Sequence, residues 1–437
     1  MLRIKPLLTT LLLGLLLAGG VAQANPEIQH WRTENGARVY FVHAGDLPMV
    51  DLRVVFDAGA ARDGDRPGLA MLTNAMLEEG AGGLDADTIA LRFDNLGANL
   101  STSSHRDMAT VGLRSLTRPD LLQPALETFT AVLTQPDFPP DALERVRRQM
   151  LTALQYQEQQ PGEIASKALY RNLYGDHPYA SPTDGNRQSV SAISRDEVKA
   201  YHRDYYVARN AVVAIVGDLD RATAERLAEE AVGGLPAGEA APPLPQVTPL
   251  QQASRQHIEH PASQTHLLLA QPGMHRGDED YFALYVGNHI LGGSGLVSRI
   301  SEEVREKRGL SYSAYSYFSP MRQQGPFVLG LQTRNESAAE ALEVLRDTLI
   351  RFRQDGPSEE ELQAAKKNIT GGFPLKVDSN SDILGYIAMI GFYELPLDYL
   401  ERFNERVEAV SSAEIRAAFQ RRIDPERMVT ISVGAAP

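Results

Sequence analysis

The 437-residue sequence contains no cysteine, which excludes thiol nucleophiles, cysteine-ligated metals and disulfides. Basic residues are the minority among charged ones, 43 against 56. The resulting net charge of −13 argues against a nucleic-acid partner, because phosphate binding requires a basic surface. The sequence also lacks Gly-x-Ser-x-Gly, the phosphate-binding loop G-x-x-x-x-G-K-[ST], and the zinc motifs H-x-x-E-H and H-E-x-x-H. The most common hydrolase and nucleotide-binding motifs are therefore absent.

The histidines do not form a metal-binding pattern. None of the ten is four residues from another, the spacing that places two imidazoles on one helical face. His257 and His260 stand in a polar stretch that enters a strand, and we interpret them as a solvated pair. His105 and His177 lie in predicted loops, where surface or structural roles are favoured over a role in a cleft.

The first 24 residues are predicted to be an export signal. Arg3 and Lys5 precede an apolar run at 7–17 that is too short to span a bilayer, and the A-x-A site at 22–24 follows. Cleavage is expected near Ala24/Asn25; a retained membrane anchor is the competing interpretation. Since an exported chain of ordinary domain size needs no disulfides, we predict a periplasmic protein, with secretion as the alternative.

The rest of the chain is too long for one ordinary hydrophobic core. It divides into two halves whose C-terminal segments resemble each other. Residues 190–218 and 407–434 both place a serine cap before a helix, a polar break and a β-branched strand ending in Val-Gly. A repeat of roughly two hundred residues indicates a duplicated domain rather than a solenoid. Five prolines at 233–250 predict an extended linker between the two copies.

We therefore predict an α+β fold with two homologous α/β-layer domains, at 25–232 and 251–437, which close over a cavity like a clam-shell. Strands are predicted at 39–42, 50–56, 98–104, 108–115, 211–216, 266–270, 311–318 and 327–332. Helices are predicted at 67–79, 87–96, 120–133, 140–157, 160–173, 194–205, 278–290, 337–353 and 358–370.

The most distinctive stretch, 291–316, reads LGGSGLVSRISEEVREKRGLSYSAYS. It opens with a turn rich in glycine, at Gly292, Gly293 and Gly295. Leu296, Ile300 and Val304 then recur at helical spacing, and Gly309 is placed to end the helix.

Two polar side chains of this stretch are candidates for ligand contact. Arg305 lies on the last turn of the predicted helix and Tyr312 follows it, so both can reach one side of a cleft. Taken alone, the stretch is more typical of an ordinary helix–glycine–strand corner with a solvated arginine.

The glycine loop, the REKRGLSY segment and the strand after it resemble the C-terminal domain of the M16 family of zinc peptidases (pitrilysin, insulinase, mitochondrial processing peptidase). The resemblance covers essentially the whole mature chain. It implies that Arg305 and Tyr312, with the nearby Gly292, Gly293 and Gly295, contact the substrate peptide from the domain opposite zinc. A guanidinium and a phenol suit that role because both donate hydrogen bonds to a developing oxyanion.

The N-terminal half departs from the family pattern at the positions of the zinc ligands and the general base. The segment at 67–70 resembles the lead-in to the inverted zinc motif, but Met71 and Ala75 stand at the two histidine positions and Asn74 at the position of the general base. Alignment on Pro161 places Ala153 at the third ligand. Methionine is a weak zinc ligand, alanine has no donor atom, and asparagine cannot accept a proton from water. No metal is therefore predicted in this chain.

Three functions remain open. The favoured one is a non-catalytic subunit of a heteromeric M16-type peptidase, which pairs with a catalytic, zinc-bearing M16 chain and binds a peptide or unfolded substrate. The second is a stand-alone periplasmic clam-shell that binds peptides along a sheet edge without cleaving them. The third is a peptidase with an unrecognised site, for which Glu78 and Glu79 are candidates, although acids at a helix end are more typical of a solvated face.

Overall fold

The structure is a computed structural model that describes residues 27–435. The predicted export signal at 1–24 lies outside the described residues. Within 27–435, no helix is both long and apolar enough to cross a membrane. The described chain forms two halves, each built on its own mixed β-sheet.

The N-terminal half contains a six-stranded sheet with the order β1-β2-β6-β3-β5-β4. Its strands are β1 (Gln29–Arg32), β2 (Arg38–His43), β3 (Met49–Phe56), β4 (Asn99–Ser104), β5 (Ala109–Leu116) and β6 (Ala211–Gly217). The last strand, β6, inserts between β2 and β3, parallel to the former and antiparallel to the latter. Strand β4 pairs only with β5 and forms one edge of the sheet. All strands except β1 match sequence predictions.

The helices of this half are α1 (Leu69–Ala75), α2 (Ala86–Leu96), α3 (Pro119–Thr134), α4 (Pro140–Gln157), α5 (Pro161–Tyr174), α6 (Arg187–Ala192), α7 (Arg195–Tyr205) and α8 (Arg221–Val232). Proline begins α3, α4 and α5, where its missing N–H costs nothing. The helix predicted at 67–79 changes into a 3₁₀ turn at Met76–Glu79.

The C-terminal half contains a five-stranded sheet with the order β9-β10-β8-β11-β7. Its strands are β7 (Ser254–Glu259), β8 (Gln264–Pro272), β9 (Ala314–Phe318), β10 (Pro326–Arg334) and β11 (Val429–Gly434). Strand β9 forms an edge, as β4 does in the first half. The helices are α9 (Tyr281–Asn288), α10 (Arg299–Ser301), α11 (Ala338–Asp355), α12 (Glu359–Gly372), α13 (Asn380–Tyr393), α14 (Tyr399–Ala409) and α15 (Ser412–Arg422).

Each half lends one helix to the sheet of the other. Helix α13 packs across β2, β3 and β6 of the N-terminal sheet, and α5 packs on β8 and β11 of the C-terminal sheet. One hydrophobic cluster consequently joins Tyr40 and Val212 to Ile387, and another joins Leu169 to Ile431. Because these apolar contacts bury surface from both halves, the sequence repeat folds as one interlocked body. Closure over a cavity like a clam-shell remains a prediction.

The segment predicted as a linker, 233–250, is extended and carries no helix or strand. It is not a free tether, because Leu235, Leu244 and Val247 are buried. The backbone N–H of Ala208 donates to Pro236 O at 2.9 Å, which ties the segment to the N-terminal half. The segment therefore packs against the rest of the described chain.

Candidate functional site

The helix at the lost zinc motif, α1, is held by a buried carboxylate. Asp63 accepts hydrogen bonds from the backbone N–H of Gly68 and Ala70, at 2.8 and 2.7 Å, and so satisfies donors at the helix start. Gly68 has a left-handed φ of 94° there, which favours glycine. Burial is the main cause that raises the pKa of Asp63 to about 7, against the lowering effect of the two N–H groups.

Asn74, at the position of the general base, has a structural role in α1. Its side chain is buried and donates to Thr110 O and to the Tyr206 hydroxyl, both at 3.3 Å. Met71 and Ala75, at the two histidine positions, are half-buried. None of the three offers the anionic or imidazole donor that zinc requires.

The third position of the lost motif lies on α4. Ala153 is exposed there and contributes no donor. Residues 27–435 contain no group of three or more His, Asp or Glu side chains arranged to hold a metal ion. The family's zinc therefore does not fit the residues at this position of the fold.

The acids beside the lost motif are not on a solvated face, contrary to their interpretation from sequence. Glu78 accepts a hydrogen bond of 2.7 Å from the Thr102 hydroxyl on β4. Glu79 forms an ion pair with Arg145 of α4, and burial outweighs that arginine in raising the pKa of Glu79. Both carboxylates therefore join the 3₁₀ turn that follows α1 to its neighbours.

The candidate histidines make separate local contacts. His105 lies 3.0 Å (Nε2) from Ser103 Oγ, and His177 lies 2.9 Å (Nε2) from Pro245 O. His257 lies 2.9 Å (Nδ1) from Ser432 Oγ, whereas Nδ1 of His260 is buried without a hydrogen-bond partner among the described residues. His257 is exposed and His260 is half-buried, so the two histidines are not equally solvated.

Arg305 and Tyr312 contact each other on the C-terminal half. Helix α10 continues as a π-helix, Glu302–Glu306, which carries Arg305, and Gly309 ends the segment with a left-handed φ of 63°. The Arg305 guanidinium carbon lies 4.7 Å from the ring centroid of Tyr312, within cation–π range. Tyr312 is 81% exposed, while Nη1 of Arg305 is buried without a hydrogen-bond partner in the described structure.

The helix of this stretch begins later than the sequence predicts. Leu296 lies in a separate 3₁₀ turn, Gly295–Val297, and is 62% exposed, because Ser298 caps a new helix at Arg299. Tyr312 likewise precedes β9, which begins at Ala314. The apolar spacing from Leu296 to Ile300 therefore crosses a helix boundary.

Gly292, Gly293 and Gly295 are each glycine for a different structural reason. A Cβ on Gly292 would lie 2.4 Å from Ser316 Oγ, and one on Gly293 would lie 2.8 Å from Asn288 Nδ2, so both permit close packing. Gly292 and Gly293 belong to a π-helix, His289–Gly293, which extends α9, rather than to an open turn. Gly295 has a φ of 65° with open space around it. Close packing of Gly292 against β9, and of Gly293 against Asn288 at the end of α9, accounts for these two glycines without a ligand.

The ends of the two edge strands border one cavity between the halves. Its volume is about 410 Å³, and its walls include His105 after β4, Ser319 after β9, Tyr170 of α5 and Tyr393 of α13. On β9, the rings of Tyr315 and Tyr317 stack with centroids 5.9 Å apart. The described contacts do not join Arg305 or Tyr312 directly to Met71, Asn74 or Ala75 by a hydrogen bond, ion pair or ring contact.

A polar cluster that sequence reasoning missed joins the halves beside this cavity. Asp107 accepts hydrogen bonds from the hydroxyls of Tyr179 and Tyr393, at 2.7 and 3.1 Å, and from the backbone N–H of Arg322 at 2.7 Å. Arg322 also lies 3.3 Å from Asp57. These residues are far apart in sequence and share no motif, so no sequence signal groups them.

Fold and site together define a duplicated protein with two open β-sheets and, among its described residues, no metal-ligand cluster. Residues 38–187 match the family model Insulinase (Peptidase family M16), and residues 192–369 match the model Peptidase M16 inactive domain. The two matches together span well over half of the chain. The protein belongs to the M16 family.

Solved structures and named relatives agree with this assignment. A crystal structure described as peptidase M16 inactive domain from Pseudomonas fluorescens is 44% identical, covers 94% of this chain and 98% of that chain, and has a TM-score of 0.91. The non-peptidase homolog YmxG of Helicobacter pylori is 26% identical, with 94% of each chain covered. The uncharacterized zinc protease YmxG of Bacillus subtilis is 23% identical over 81% of this chain and 85% of its own.

Proposed function

We propose that this chain is an exported, non-catalytic subunit of a heteromeric M16-type peptidase. A partner M16 chain with an intact H-x-x-E-H motif would carry the zinc, and this chain would bind substrate. The family assignment, the relatives named inactive domain and non-peptidase homolog, and the unsuitable side chains at 71, 74, 75 and 153 support this division. The periplasm is the proposed compartment, with secretion as the alternative.

The observation that carries the proposal is the Arg305–Tyr312 pair. The Tyr312 hydroxyl is exposed, and Arg305 Nη1 has no hydrogen-bond partner among the described residues. Both groups therefore remain available as hydrogen-bond donors. A peptide carbonyl would accept a hydrogen bond from the exposed Tyr312 hydroxyl, and a shift of the partly exposed Arg305 side chain would allow its unpaired Nη1 to donate as well. At the partner's site, the same donors would stabilise negative charge on the carbonyl oxygen of the scissile bond.

Reconstitution tests this function. The purified chain is mixed with an exported M16 chain that contains H-x-x-E-H, first sought in the neighbouring reading frame, and cleavage of a quenched peptide is measured. We expect a stable heteromer in size exclusion, with cleavage that requires both chains and is lost on chelation. Failure of every such chain to associate, in native co-purification as well as in vitro, would overturn the proposal.

A stand-alone peptide-binding protein is the second candidate, and one observation favours it. The exchange of α5 and α13 makes the two halves one body without a partner, and edge strand β4 leaves backbone groups available for an added strand. Monomeric behaviour in native extracts with micromolar peptide binding would select this candidate. Peptide binding that survives Arg305→Ala would count against a role for the pair in either function.

A further inference from the structure

Helix α1 leaves one narrow stripe of its surface open. Met71 and Ala75 lie four residues apart and are half-buried, and Glu78 continues the same line in the 3₁₀ turn that follows the helix. The other residues of α1 are buried: Leu69, Ala70, Leu72, Thr73 and Asn74. Met71 belongs to none of the hydrophobic clusters of the described chain, although Ala75 packs against the N-terminal one. Met71 is therefore an apolar side chain that the described core does not use.

Direct contacts place this stripe beside edge strand β4. Helix α1 packs on β4, and Glu78 accepts a hydrogen bond of 2.7 Å from Thr102 of that strand. Because side chains alternate along a strand, Leu100 shares the face of Thr102. The opposite face of β4 carries polar side chains: Asn99, Ser101 and Ser103. An extended segment next to β4 would therefore meet the open stripe of α1 on one side and polar groups on the other.

Helix α4 runs antiparallel to α1 along the same stripe. Gly80 faces the residue before α4, since a Cβ on Gly80 would lie 3.0 Å from Pro139 Cγ. Glu79, one residue earlier, forms an ion pair with Arg145 in the second turn of α4. The chain before Glu79 therefore passes toward the C-terminal end of α4, which α1 also contacts.

This antiparallel arrangement brings an exposed alanine to the stripe. Counted from the Glu79–Arg145 pair, Met71 and Ala153 stand the same number of residues away, in opposite directions along the two helices. Ala153 is exposed on α4, so its methyl group and the side chains of Met71 and Ala75 border one open space beside β4. These are three of the positions at which the residues present do not fit zinc.

We propose that Met71, Ala75 and Ala153 form an apolar subsite, which takes one apolar side chain of a peptide paired with β4. The inference rests on the proposed function in that a peptide must reach this edge. Methionine suits such a subsite because its flexible, polarizable thioether adapts to different apolar shapes. The two alanines leave room beside it for a branched side chain. The positions that cannot hold zinc thus contribute to binding through apolar contact instead.

The outer edge of β4 is accessible to such a peptide. Among the described residues, backbone groups of β4 form hydrogen bonds with β5 alone. On β9, by contrast, the carbonyl of Ser316 accepts a hydrogen bond of 3.1 Å from Asn288 Nδ2. A peptide on β4 would lie one strand spacing, about 4.8 Å, beyond it. Its side chains on the α1 face would then be direct neighbours of Leu100 and Thr102, next to the stripe.

The test compares two peptides on the purified full chain. Both are fluorescein-labelled, ten residues long and rich in threonine, which favours the extended conformation. They differ only in one central residue, which is leucine or serine, and Kd is measured by fluorescence anisotropy. We expect the leucine peptide to bind roughly tenfold tighter or more, because burying that side chain in the subsite removes apolar surface from water.

Substitutions assign the preference to the subsite. Ala153→Leu fills the open space, so the ratio between the two peptides should fall to about one, and Met71→Gln should lower it by making the wall polar. Ala417→Leu, at an exposed position of α15, is the matched control and should leave the ratio unchanged. Thermal unfolding checks that each variant is folded, which we expect because neither Met71 nor Ala153 is buried in the core.

Nuclear magnetic resonance gives a readout that does not depend on affinity. In protein labelled at the methionine methyl groups, Met71→Gln identifies the Met71 signal by its loss. The leucine peptide should shift that signal more than the serine peptide does, while the buried methionines, such as Met76 and Met428, serve as internal controls.

The outcomes separate the subsite from the proposed function. If both peptides bind equally well, or if the ratio is the same in the wild type and Ala153→Leu, the subsite is wrong and peptide binding stands. If neither peptide binds, peptide contact by this chain fails and the subsite fails with it. A ratio that Ala417→Leu lowers as much as Ala153→Leu would assign the preference to apolar contact elsewhere and overturn the subsite.

Discussion

The Tyr393 hydroxyl donates a hydrogen bond of 3.1 Å to Asp107, a residue 286 positions earlier in the chain. Tyr393 ends the helix that the C-terminal half lends to the N-terminal sheet, and Asp107 lies in the turn between β4 and β5. Burial is the first cause that raises the pKa of Tyr393, and Asp107 adds to it, so the phenol keeps its proton and remains a donor.

Weakening this cluster should loosen the contact between the halves. Asp107→Asn replaces an oxygen that accepts hydrogen bonds by an amide that donates, and we expect a loss of about 3 kcal/mol in the free energy of unfolding. Tyr393→Phe removes one hydrogen bond and should cost about 1 kcal/mol. Urea denaturation followed by circular dichroism measures both, with Asp176→Asn as an exposed control. Equal stability of all variants would contradict a role for the cluster in holding the halves together.

An acidic side chain at position 74, where the family has its general base, should lower the free energy of unfolding. Asn74→Asp places a buried carboxylate against the Thr110 carbonyl, where the native amide donates. We expect a loss of about 3 kcal/mol at pH 7 that shrinks below about pH 5 as the carboxyl gains a proton. Asn95→Asp, on the exposed face of α2, is the matched control. A pH-independent change equal in both variants would show that Asn74 is not held by its donor role.

Asp63 should make stability depend on pH near neutrality. Its pKa of about 7 in the folded chain exceeds the ordinary value of 3.8, so between these values the folded state binds more protons than the unfolded state. The contribution of Asp63 to the unfolding free energy therefore falls as pH rises from about 4 to about 7, by roughly 4 kcal/mol in total.

The comparison that isolates Asp63 is between the wild type and Asp63→Asn. The wild type should lose unfolding free energy relative to Asp63→Asn between pH 5 and pH 8, because the variant lacks this titration. Asp65→Asn removes an exposed acid two residues away and should follow the wild-type profile. Parallel curves for wild type and Asp63→Asn would contradict the raised pKa.

The Arg305–Tyr312 pair should affect activity of the heteromer without affecting the fold. Tyr312→Phe keeps the ring against Arg305 and removes the hydroxyl, and Arg305→Ala removes the guanidinium. For each we expect kcat/KM of the reconstituted peptidase to fall on the order of a hundredfold, the usual loss for one oxyanion donor. Because Tyr312 is exposed, Tyr312→Phe should leave thermal stability unchanged. Tyr317→Phe, on edge strand β9, tests whether any tyrosine of this face would have the same effect.

Side-chain chemistry alone made part of the site predictable. Methionine, asparagine and alanine at 71, 74 and 75 cannot build a zinc site however the helix is turned, and the family pattern identifies those positions. Arg305 and Tyr312 were predicted to share one side of a cleft, and the structure places them in contact.

The sequence by itself determined the duplicated α+β plan, most strand and helix positions, and the absence of ligand chemistry at the zinc motif. These features are local, since they depend on periodicity, capping residues and the donor atoms of single side chains. Only the tertiary structure decided that each half covers the other's sheet with a helix and that Asp107 joins tyrosines from both halves. Those relationships depend on register and on contacts between distant residues, and no local pattern in the sequence encodes them.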